Sequence, residues 1–87
     1  MDDKTCRLEI LRALKGAYDK DAFGLVQKDE LLQALGVENN VVDRNVRYLE
    51  QKTLVRVDWH LNGGFYAWIN AEGIDFWRPV NRQDLRS

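Results

Sequence analysis

The chain has 87 residues, 45% apolar and 31% charged, with 13 basic and 14 acidic side chains and a net charge of −1. That suffices for one small domain with one modest core, is not the composition of a disordered segment, and argues against a globally basic nucleic-acid coat protein while leaving room for a local basic patch. A lone cysteine, Cys6, rules out an internal disulfide, and with a lone histidine, His60, it cannot assemble a structural zinc site.

The opening MDDKTCRLEI lacks a secretory signal's basic-then-apolar order, and no apolar run is long enough to span a bilayer. A cytoplasmic protein is therefore expected. Asp2 and Asp3 suit a helix start, and Leu8, Leu11, Leu14 and Tyr18 recur at helical spacing, with Ile10 and Ala17 widening the stripe. The spacing predicts a first helix from about Lys4 to Tyr18. DKDAFG breaks it, and LVQ suits a very short strand.

Asp29 and Glu30 supply the acids favoured in a helix's first turn, Leu31, Leu32 and Leu35 its apolar face, and Gly36 its end. Val37 then returns to the core. A third helix follows from Asn39 or Asn40 to Lys52. Val42, Val46 and Leu49 share its inward face, and Asn40, Asp43, Arg44 and Arg47 face outward. In LVRVDWHLNGGFYAWIN, Val55, Val57 and Trp59 alternate with Arg56, Asp58 and His60. Asn62 and Gly63 as a two-residue turn place Trp59 opposite Tyr66, and Val57 opposite Trp68. AEGIDFWRP predicts a short helical turn carrying Ile74, Phe76 and Trp77, stopped before Pro79. Residues 1–78 thus form one domain, and 79–87 a flexible tail.

This order of elements resembles the winged helix-turn-helix superfamily of DNA-binding regulators. DELLQALGV is similar to the motif's second helix and turn, VVDRNVRYLEQKTLV to its third helix, and LNGGFYAWINAEGIDFW to the wing, its returning strand and the helix that follows. The resemblance implies an α+β fold with a three-helix core, a two-stranded β-hairpin wing and a short C-terminal helix. It implies a transcriptional regulator whose third helix reads the major groove of double-stranded DNA. Asn39, Asn40, Asp43, Arg44, Arg47 and His60 are the DNA-binding residues it designates. Arg suits the two acceptors of guanine and Asn suits adenine. Glu38 and Asn39 stand where many members open the third helix with Ser or Thr, Thr53 where many have Gly, and Asn70 where threonine is common.

Charge leans the same way. Residues 39–56 hold Arg44, Arg47, Lys52 and Arg56 against Asp43 and Glu50, while the rest of the chain holds nine basic and twelve acidic groups. The plainer alternative is that the outward face of the third helix is only solvated, and that the domain is a protein–protein interaction module, as in a phage or mobile-element accessory protein. The acidic balance and the aromatics favour that alternative. Trp59, Trp68 and Trp77 suit either the core or an interface, and a homodimer on DNA is the expected assembly. Cys6 reads as a half-buried small apolar residue. No enzymatic chemistry, cofactor or metal is expected: the one serine is Ser87, no glycine-rich phosphate loop occurs, and no acid pair has a telling spacing.

Overall fold

In the computed structural model, which describes residues 1–21 and 23–77, the chain opens with α1 (Asp3–Lys20). Asp2 starts it: the Thr5 N–H donates to its carboxylate at 2.7 Å, satisfying one of the donors that a first turn leaves free. Asp3 in the first turn and Lys20 in the last complement the helix dipole. The buried stripe is Cys6, Ile10, Leu11 and Leu14. This corrects the expected stripe, since Leu8 and Tyr18 are each 41% exposed. The helix packs against both α3 and the sheet, and the arc facing those two neighbours is centred on Cys6, Ile10 and Leu14. Cys6, expected to be half-buried, is fully buried.

β1 (Val26–Gln27) leads directly into α2 (Lys28–Leu35). The Gln27 backbone N–H donates to Glu30 Oε1 at 3.1 Å, bracing the helix start. Gly36 closes α2 at φ 66°, the left-handed conformation that favours glycine. Only Gly36, Val37 and Glu38 separate α2 from α3 (Asn39–Gln51). The end of α3 is a double closure: Thr53 N–H donates to Glu50 O at 2.9 Å and Leu54 N–H to Leu49 O at 3.0 Å. That closure needs a left-handed residue, and Thr53 supplies it at φ 60° without being glycine.

β2 (Val55–Trp59) and β3 (Phe65–Ile69) form an antiparallel hairpin, and β1 pairs with the other edge of β3. The sheet is therefore three-stranded, ordered β1-β3-β2, rather than the expected two-stranded hairpin. The expected register is also corrected. Trp59 faces Phe65 and Val57 faces Ala67, in place of Tyr66 and Trp68. The cause is the turn. His60 N–H donates to Gly64 O and Gly63 N–H to His60 O, leaving Leu61, Asn62 and Gly63 as a three-residue loop with Gly63 at φ 91°. One extra loop residue moves each partner by one place.

The last helix among the described residues, α4 (residues 71–77), starts at Asn70, whose Oδ1 accepts the Gly73 N–H at 2.9 Å. The Asn70 side-chain amide donates to Thr53 O at 2.7 Å, tying α4 to the end of α3. A Cβ on Gly73 would fall on the Leu54 carbonyl oxygen and lie 2.6 Å from Ile69 Cγ1, so this corner accepts only glycine. The described residues thus form an α+β domain of four helices and a three-stranded antiparallel sheet. Its core joins Ile10, Leu11 and Leu14 of α1, Leu31 of α2, and Val42, Val46 and Leu49 of α3 to Val55, Phe65, Ala67 and Ile69 of the sheet. Leu32, Leu35, Trp59, Ile74 and Trp77 pack around it, partly buried. The expected flexible tail, 79–87, lies outside the described residues. No described helix is long and apolar enough to cross a membrane.

Leu49 is 2% exposed and sits where α3 meets α1 and the sheet. Leu49→Ala is expected to lower the unfolding free energy by roughly 2–5 kcal/mol in urea titrations. Gly73→Ala is expected to cost roughly 1–3 kcal/mol by overpacking the corner. A Gly73→Ala protein as stable as the wild type would mean that α4 does not sit on Leu54.

Candidate nucleic-acid interface

α3 is the most one-sided helix of the fold. Val42, Asn45, Val46 and Leu49 are buried, while Asn40, Arg44, Arg47 and Gln51 form an exposed stripe along the opposite side. Those spacings of four, three and four place their side chains one above another on the helix surface. Asn39 is exposed as the first residue of α3, and Glu38 before it caps with no side-chain hydrogen bond. Asp43 lies at the edge of the stripe, half-buried.

The partners of these residues come from three elements. Lys28, the first residue of α2, has its ammonium 3.0 Å from Asp43 Oδ1, and it also donates to the Gly63 carbonyl at 2.9 Å. With its side chain only 11% exposed, Lys28 ties α2, α3 and the hairpin loop together at one point. Arg44 donates to Asp3 Oδ1 at 2.9 Å. The guanidinium carbon of Arg47 lies 4.4 Å above the centre of the Trp59 ring. Trp59 is itself fixed, since its indole N–H donates to Glu50 at 3.1 Å and its ring packs edge-on to Phe65.

Beneath the stripe lies Asn45, fully buried. Its side-chain amide donates to Asp3 Oδ1 at 3.1 Å and to Val41 O at 2.9 Å, and its Oδ1 accepts from Arg7 Nε at 3.0 Å. Arg7 also stacks on Tyr48 at 3.6 Å. The start of α1 is thereby fastened to the middle of α3. Hydrogen bonds first from Arg44 and then from Asn45 hold the Asp3 carboxyl below its ordinary value, and the Thr5 backbone does the same for Asp2. Burial pushes the Cys6 thiol upward, so it stays neutral and unreactive within the core.

No family model, no curated protein and no solved structure matches the chain.

Of the residues singled out from sequence, the structure gathers Asn39, Asn40, Asp43, Arg44 and Arg47 on or beside one face of α3. His60 stands apart. Its ring packs edge-on to Tyr66 at 4.6 Å, and it lines a shallow hollow of about 220 Å³ with Gln27, Lys28, Asp29 and Asn62. Among the described residues, no group of three or more His, Cys, Asp or Glu side chains is placed to hold a metal ion. Sequence reasoning missed Lys28, Asn45 and Gln51. Periodicity carried the signal for two of them: Asn45 is three residues after Val42 and four before Leu49, and Gln51 is four after Arg47. Nothing local marks Lys28, whose partners lie fifteen and thirty-five residues away.

Asp2 and Asp3 give a pH prediction. A carboxyl whose folded pKa lies below its unfolded value stabilises the fold above that unfolded value, and loses the contribution as pH falls through the folded one. The start of α1 is therefore expected to loosen below pH 3.8, the ordinary carboxyl value. Faster exchange of the Thr5 amide and a falling thermal midpoint would report it. Asp2→Asn should make the first less dependent on acid and Asp3→Asn the second, and an unchanged acid limb in both would contradict the assignment.

Proposed function

We propose that the chain is a winged helix-turn-helix domain that binds double-stranded DNA through α3 and acts as a transcriptional regulator. The order α1-β1-α2-α3-β2-β3, the three-residue link from α2 to α3, and a hairpin held beside α3 all support the architecture. One observation carries the functional reading: the stripe of Asn40, Arg44, Arg47 and Gln51 is exposed on a helix whose other side is fully buried. Asn and Arg are the side chains that pair bidentately with adenine and guanine edges. Asp43, which would repel phosphate, has its charge offset by the Lys28 ammonium beside it. The Arg47 guanidinium lies over the Trp59 ring, and Arg47 is exposed.

A second reading, a protein-interaction module, is favoured by the Arg44–Asp3 pair, which already occupies one of the two arginines. The two readings separate in one titration. NMR of the labelled protein with mixed short duplexes, at low and at moderate salt, is expected to shift Asn40, Arg44 and Arg47. Arg47→Ala should weaken binding by about 1–3 kcal/mol if it grips a base, with relaxed preference at one position. A phosphate contact would instead lower all affinities alike and flatten the salt dependence. Asp3→Asn frees Arg44 and removes a negative charge, so it should tighten binding. No shift at those three residues with any duplex at low salt would defeat the DNA reading. A homodimer on DNA belongs to the same proposal, and sedimentation giving one chain per duplex would remove it.

A further inference from the structure

A further hollow of the domain lies away from the outward stripe of α3. It is a groove of about 520 Å³ between α1, the C-terminal end of α3 and α4. Leu8, Leu11, Leu49, Leu54 and Phe76 give it an apolar lining. Leu8 and Phe76 remain 41% and 45% exposed there. The other three residues besides Tyr48 that line it, Lys4, Arg7 and Lys52, are all cationic, and among the described residues no carboxylate lines it.

The charges are not spread evenly. The Arg7 guanidinium and the Lys52 ammonium lie 3.6 and 5.6 Å from the centre of the same Tyr48 ring. Lys4 precedes Arg7 by three residues on α1, and so projects from the same side of that helix. Among the described residues, none of the three forms an ion pair, whereas Arg12, Lys15, Lys28 and Arg44 each do. The groove therefore has a cationic end around Tyr48 and an apolar remainder. A protein helix with acids along both flanks would not match such one-ended charge, whereas a molecule with one anionic head and one apolar chain does. The volume lies within the range of small-molecule sites, roughly 300–1,000 Å³.

We propose that this groove binds a free long-chain carboxylate, its head among Lys4, Arg7 and Lys52 and its chain along Leu8, Leu11, Leu49, Leu54 and Phe76. The assignment stands independently of any DNA contact by α3.

The test is an NMR titration of the full chain with octanoate, decanoate and dodecanoate, each kept below micelle formation. Shifts are expected in the methyl groups of Leu8, Leu11, Leu49 and Leu54, with affinity rising about fourfold per added CH₂. Lys4→Gln together with Lys52→Gln, both at exposed positions, should preserve the thermal midpoint and weaken dodecanoate several-fold. Dodecyltrimethylammonium should bind far more weakly than dodecanoate. Equal binding of the two would reduce the groove to a greasy patch and overturn the proposal. So would binding to anionic vesicles without binding of monomeric dodecanoate, which would make the face a membrane contact. A double variant that loses duplex affinity but keeps full dodecanoate affinity would make the lysines phosphate contacts, with the same consequence. A full chain that shows no groove shifts with any of the three carboxylates would also overturn it.

Discussion

The side-chain amide of Asn45 fixes how α1 lies on α3, and the rest of the domain is arranged around that contact. A fully buried amide is tolerable only when its hydrogen-bonding groups are met, and here Asp3, Arg7 and Val41 meet them. Apolar packing alone tolerates small sliding between helices, but hydrogen bonds of this length do not. Asn45 thereby sets the register that brings Ile10, Leu11 and Leu14 against Val46 and Leu49. It also decides where Arg7 and Asp3 stand, and through them the surroundings of Arg44 on one side and of Tyr48 on the other.

Two corners carry the remaining geometry. At the end of α3, Thr53 takes a left-handed conformation that a β-branched residue resists, and the chain turns into β2. The Thr53 hydroxyl meets the Glu72 carboxylate and its carbonyl accepts from Asn70, so contacts from the start of α4 hold the corner in place. Gly73 allows α4 to come down on the Leu54 backbone at that same place. Thr53 and Asn70 thus contact each other directly at this corner.

What was legible in the sequence followed from local rules. Gly36 marked the end of α2, the 42–46–49 spacing marked the inward face of α3, and alternation from Val55 to Trp59 marked β2. Hairpin register was not legible, because a two-residue and a three-residue loop both accept Asn-Gly-Gly and differ only in where the pairing restarts. The stripe on α1 was misread because periodicity gives the spacing of a face without saying which neighbours it must meet. At the candidate interface, the outward direction of Asn40, Arg44 and Arg47 was readable from helical period. Their partners were not, since Asp3 lies forty-one residues from Arg44 and stacking on Trp59 depends on how the hairpin folds back.

Lys28 joins the first turn of α2 to Asp43 and to the backbone of the hairpin loop, and it does so almost shielded from water. Because the loop is held through a carbonyl oxygen, the joint does not depend on which side chains the loop carries. Helix and loop consequently behave as the two jaws of a fixed calliper. On the proposed reading, a surface that met α3 would also meet the loop at one preset spacing, so its width would count as well as its chemistry.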